Sequence, residues 1–82
     1  MEKRWFVLKI VCEWVYVDRF DMNLWVETLR ERVSDYRTTR EDANEDFARL
    51  GFVDNRESDV KCHDDFSKEG FWVRHIVQCK SI

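Results

Sequence analysis

From Arg4 to Val17 the chain alternates. Even positions give Phe6, Leu8, Ile10, Cys12, Trp14 and Tyr16, an unbroken apolar row at period two, whereas odd positions give the mixed row Trp5, Val7, Lys9, Val11, Glu13, Val15 and Val17. This pattern predicts a strand over residues 4–17 whose even face meets a core. Farther on the spacing becomes helical: Met22, Trp25, Val26, Leu29, Val33 and Tyr36 fall on one stripe, which predicts a helix over 22–37. Asp21 stands where it would cap that helix, and Phe20 where it would pack on Trp25 as a staple. A second helix is predicted over 40–50, with Thr38 or Thr39 ahead of Glu41 and Asp42 at capping-box spacing and Ala43, Phe47 and Leu50 facing inward. Gly51 would end it, with Phe52 folding back on Phe47.

The last third reads as a hairpin, with strands over 59–66 and 71–80 joined through Ser67-Lys68-Glu69-Gly70. A four-residue loop sets Phe66 opposite Phe71, Cys62 opposite His75 and Val60 opposite Val77. A three-residue loop would instead set Lys61, His63 and Asp65 against the apolar face of the last strand. The first register keeps apolar with apolar and is the one expected. The expected fold is α+β in the order β-α-α-β-β: a small antiparallel sheet with two helices packed on one face, formed by residues 1–82 as a single domain.

Two helices cover one face of such a sheet and leave the other bare. In this register the bare face carries Trp5, Val7, Val11 and Val15 from the first strand and Trp72 and Ile76 from the last, with Lys9, Glu13, Arg74 and Gln78 among them. Tryptophan and arginine ringed by polar groups is the make-up of an interface. Trp14, on the even row, is expected inside.

Composition narrows the classes. Of 82 residues 44% are hydrophobic and 15% aromatic, enough for one dense core. No apolar run approaches the ~18 residues of a membrane span, and no signal-peptide cleavage site is present, so the expected location is the cytoplasm. Three cysteines are not a secreted disulfide framework. The net charge of −3 is unevenly placed, because residues 41–69 carry 10 acidic and 4 basic groups, for −6. Glu41, Asp42, Glu45 and Asp46 begin this stretch. They form a second candidate surface, one that would fit a basic, nucleic-acid-binding protein.

Motifs for catalysis are missing: there is no phosphate loop, dinucleotide fingerprint or metalloprotease signature. Cys62 and His63 are adjacent in a strand and point to opposite faces, so they do not form a nucleophile–base pair. Cys12, Cys62, His75 and Cys79 all point inward in the expected register, which admits a Cys3His zinc site, yet no C-x-x-C knuckle supports it. The sequence predicts no metal and no cofactor, with His75 a core histidine beside Asp64.

The sequence therefore points to a non-catalytic protein-interaction module, a small binder or inhibitor of the kind viruses and mobile elements encode. Its partner is another protein or a second copy. Two rivals are a single-stranded nucleic-acid binder, stacking bases on Trp5 and Trp72 with Arg74 on phosphate, and a zinc-binding regulatory domain. The absence of a basic groove counts against direct nucleic-acid binding.

Overall fold

In the computed structural model, which describes residues 2–81, the chain forms β1 (Lys3–Val17), β2 (Met22–Arg32), α1 (Arg40–Arg49), β3 (Cys62–Asp65) and β4 (Phe71–Ser81). The four strands make one antiparallel sheet in the order β2-β1-β4-β3. The expectation of two helices on a sheet is thus wrong: among the described residues the sheet dominates and there is one helix.

Residues 22–32 form a strand, not the expected helix. Val17 and Asp18 accept backbone bonds from Phe20 and Asp21, and Asp21, at φ +50°, turns the chain back along β1. Asp21 is therefore a turn residue, not a helix cap. The helical stripe was produced by a β-bulge. Val26 lies opposite Glu13 and Leu29 opposite Val11, while Thr28 has no partner in the ladder. A bulge inserts one three-residue step into a period of two. Met22, Val26, Leu29 and Val33 consequently recur at spacings of four, three and four on one face of a strand. Residues 33–37 then rejoin β1 at its other end: Val33 donates to the Val7 carbonyl at 2.9 Å, and Trp5 and Arg37 exchange backbone bonds of 2.7 Å.

The second helix forms where its local signals place it. Asp42 N–H donates to Thr39 Oγ1 at 3.2 Å, and Glu41 and Asp42 in the first turn complement the helix dipole. Gly51, at φ +97°, reverses the chain so that Phe52 donates to the Phe47 carbonyl and the two rings lie 5.6 Å apart.

The C-terminal hairpin takes the register that apolar matching disfavours. Cys62 lies opposite Ile76, His63 opposite His75, Asp64 opposite Arg74 and Asp65 opposite Val73. Two contacts outweigh the apolar match. Arg74 donates to both Asp64 oxygens at 2.7 and 2.9 Å, and Phe66 stacks on Trp72 at 5.4 Å. Asp54 and Asn55 close the outer edge of β3: Asn55 exchanges bonds of 2.8 Å with the Asp64 backbone, and Asp54 accepts from Cys62 N–H.

The core sits at one end. Val7 and Val77, directly opposed and fully buried, pack under Ala43 and Phe47 of α1, with Trp5, Val33, Phe52 and Val60 around them. At about 1.5 Å per residue α1 is about 15 Å long, whereas β1 at ~3.3 Å per residue runs to about 50 Å. The helix covers only the part of the sheet nearest Val7. β1–β4 pairing ends at Glu13 opposite Phe71, and beyond it β1 and β2 continue as a two-stranded arm closed by residues 18–21. The molecule is correspondingly elongated, 44 × 29 × 20 Å. No helix among the described residues is long and apolar enough to cross a membrane.

Candidate functional site

Because Val7 opposes Val77 and Leu8 opposes Ile76, each face of the sheet is fixed residue by residue. The helix face carries Trp5, Val7, Lys9, Val11 and Glu13 of β1 with Cys79, Val77, His75, Val73 and Phe71 of β4. The open face carries Phe6, Leu8, Ile10, Cys12, Trp14 and Tyr16 with Gln78, Ile76, Arg74 and Trp72, flanked by Asp64 and Cys62. The even row of β1, expected under the helices, is on the open side.

The expected interface set is thereby divided. Trp5, Val7 and Val11 lie on the helix face. Val7 is 0% exposed and so belongs to the core, with Trp5 packed against it. Trp72, Arg74 and Ile76 lie on the open face, half-buried. On α1, Glu41 and Glu45 are exposed and Asp42 half-buried. Asp46 turns inward and accepts bonds from Arg37 at 2.8 and 3.0 Å and from Arg49 at 3.2 Å. The Arg37 guanidinium holds the Asp46 carboxyl below the usual carboxylate range. Asp46 is thus a structural anchor between α1 and the strand-rejoining segment, and no part of an acidic docking surface.

The metal-type set is divided as well. Cys12 and Cys62 point to the open face, His75 and Cys79 to the helix face. Among the described residues no three His, Cys, Asp or Glu side chains converge as metal ligands do. His75 stacks on Phe52 at 3.9 Å instead of meeting Asp64, and burial pushes its pKa down. Burial, with the Asp64 charge beside it, pushes the Cys62 thiol up to about 11, which keeps it protonated and weakly nucleophilic at neutral pH. Asp64 itself is pulled down, first by the Arg74 bonds and further by Arg56 at 3.4 Å.

The open face has an aromatic make-up that the sequence reading assigned elsewhere. Near the core Phe6 is buried beneath Tyr36, ring centroids 5.4 Å apart, with the Arg32 guanidinium 4.3 Å above Tyr36. In the middle, Phe66, Trp72 and Arg74 stack in sequence, Arg74 lying 5.1 Å from the Trp72 ring. On the arm, Trp14 and Trp25 are cross-strand partners 5.2 Å apart, yet they remain 49% and 51% exposed. Tyr16 and Phe66 on this face are more than half exposed. The Tyr16 hydroxyl donates to Asp21, which holds that carboxylate over this face and raises the Tyr16 pKa.

Trp14, Tyr16, Trp25 and Phe66 were missed as surface residues because each satisfied a core pattern. The available signal was the odd row: Val7, Val11, Val15 and Val17 are small enough to pack under a helix, which leaves the bulkier even row from Phe6 to Tyr16 for the open side. A hollow of about 470 Å³ between α1 and residues 32–37 also holds arginines, but Arg37 and Arg49 there both donate to Asp46. No family model, curated protein or solved structure matches this chain.

Proposed function

We propose that the chain is a non-catalytic protein-interaction module, a small cytoplasmic binder or inhibitor, acting through the open sheet face from Trp72 and Phe66 to the arm. One observation carries this reading: Trp14, Tyr16, Trp25 and Phe66 are each about half exposed or more, on a single continuous face. A solvent-facing aromatic surface of that extent is the usual signature of a binding site. The three free cysteines suit a reducing compartment. Both buried carboxylates, Asp46 and Asp64, are held in arginine pairs, an arrangement that suits structure better than proton transfer.

The nucleic-acid alternative loses its original form, because Trp5 and Trp72 are on opposite faces and cannot share one strand. The open face does set Arg30, Arg32 and Arg74 among aromatics, but Arg30 is paired with Glu27 at 2.8 Å and Arg74 with Asp64. That leaves little unneutralised charge for a phosphate backbone.

Capture from a host lysate on the immobilised chain tests the proposal, with a Trp14→Ala/Trp25→Ala variant and a Glu41→Gln/Glu45→Gln variant beside the wild type. The expected result is a captured protein lost with the tryptophans and kept with the acid changes. Anisotropy with a labelled oligonucleotide at low salt should stay flat. Capture that survives removal of both tryptophans overturns the assignment of the face. Oligonucleotide binding that needs the tryptophans and fades steeply with salt would make the face a nucleic-acid platform.

A further inference from the structure

The arm is apolar on both sides. Trp14, Tyr16 and Trp25 face one way and Val15, Val17, Met22, Leu24 and Val26 the other. A two-stranded ribbon is marginal in water unless one face is covered. Nothing else in the described chain is placed to cover it: α1 lies over Val7 and Val77, and Asp54 and Asn55 are bonded along β3. The occupant therefore comes from outside.

We infer that the occupant is a second copy of the same chain, with the two arms packed open face to open face about a two-fold axis at the Trp14–Trp25 pair. This rests on the reading of that face as an interaction surface and names its partner.

Area supports it. On the open face Trp14, Tyr16, Trp25 and Phe66 are between 49% and 61% exposed, which leaves on the order of 500 Å² of aromatic side chain in water, with the half-buried Ile10 and Trp72 beside them. A stable interface takes about 800 Å² from each partner. Charge supports it independently. Asp21 lies four residues from Trp25 toward the tip. Arg30 lies five residues from Trp25 toward the base, one of them the bulged Thr28 that adds no length to the ladder. Each is therefore about 13 Å from Trp25 at ~3.3 Å per residue. A two-fold axis at Trp25, perpendicular to the strands, sets Asp21 of each copy over Arg30 of the other. The Arg30 side chain is 56% exposed, and its pairing with Glu27 at 2.8 Å uses Nε, which leaves the two terminal nitrogens of the guanidinium to reach across. Pairing β2 edge to edge is the less suitable geometry, since the bulge and the charged run Glu27, Arg30, Glu31 and Arg32 blunt that edge.

Sedimentation velocity from low to high micromolar concentration reads the result. The wild type should form a dimer, and Trp14→Ala/Trp25→Ala should be monomeric while keeping its circular dichroism. Asp21→Asn, which tolerates the left-handed turn, and Arg30→Gln should each weaken dimerisation by about tenfold, and the double variant by no more than either alone. A wild type that stays monomeric, or a dimer indifferent to both tryptophans, overturns the inference, as would fully additive losses for Asp21 and Arg30. A monomer that still captures a host protein through Trp14 and Trp25 sinks only the second-copy partner and leaves the interaction reading standing. A tryptophan-dependent dimer that captures nothing upholds the second copy as the partner and removes the host-protein binder or inhibitor.

Discussion

β1 passes through two environments that differ in cover more than in composition. At one end Val7 opposes Val77, and both are sealed beneath Phe47 and Ala43. At the other Trp14 opposes Trp25 with a larger apolar area, and both stand half in water. The residues of the arm are at least as hydrophobic as those of the core. Burial is thus set by which face and which end of the sheet is covered, by α1 over Val7 and by Tyr36 over Phe6, and a row of apolar residues becomes an interface where neither reaches.

The sharpest test of that contrast is a pair of truncations. Phe47→Ala should lower the unfolding free energy by about 3–5 kcal/mol, because it empties the contact between helix and sheet. Trp25→Ala, measured by urea denaturation at concentrations low enough to hold the monomer, should change it by less than about 1 kcal/mol. Equal losses would mean that the arm is part of the core.

Next in size are the two buried carboxylates, one on each face. The Asp64 side chain is 1% exposed and the Asp46 side chain 11%. Asp64→Asn should therefore cost about 2 kcal/mol in urea denaturation and Asp46→Asn less, since the partially exposed arginines are better rehydrated when they lose their partner. A larger loss at Asp46 would show that the α1 anchor outweighs the hairpin register.

Acid titration separates the same sites. His75, Asp46 and Asp64 all have pKa values lowered by folding. In each case the unfolded chain takes up protons first as pH falls, so stability is full above the unfolded pKa and drains as pH drops through the folded one. A first decline should start near pH ~6.5 from His75 and a second near ~4 from the carboxylates. His75→Gln should remove the first and leave the second, as followed by melting temperature against pH.

The smallest effect belongs to the helix end. Thr39→Ala removes the bond accepted from Asp42 N–H and should cost about 1 kcal/mol by thermal denaturation, leaving arm-dependent association unchanged.

The sequence was legible where a signal is local and unreadable where it is a sum. Thr39, Gly51 and Phe52 act within one turn of α1, and the helix forms there. The strand of residues 3–17 is also plain from its alternation. β2 was misread because Thr28 breaks the period of two in the way a helix would, and nothing in a single chain marks a bulge. The hairpin register failed for a related reason: matching apolar rows ignores the attraction between Asp64 and Arg74, which the pairing itself brings together. That slip of one residue moved Cys62, Asp64 and Phe66 to the other face relative to β4, and β1 separately turned its odd row to the helix, which parted Trp5, Val7 and Val11 from Trp72, Arg74 and Ile76. The candidate sheet face therefore kept half its residues and gained Trp14, Tyr16, Trp25 and Phe66, whose exposure depends on which face α1 takes.

The sheet order β2-β1-β4-β3 also bears on the sequence of events during folding. β1 has one partner that follows after a four-residue turn and another that begins more than fifty residues downstream. Closing the short loop loses little chain entropy, whereas the long one must wait for distant contacts to repay it. The arm, the part with the least shelter, is therefore the first piece able to form, and β4 and α1 complete the core around a hairpin already showing its tryptophans. Stopped-flow refolding should register Trp14–Trp25 exciton ellipticity before protection of the Val7 and Val77 amides. During that interval the chain resembles two sticky strands in search of a sheet, and prompt closure by β4 limits how long they stay open to aggregation.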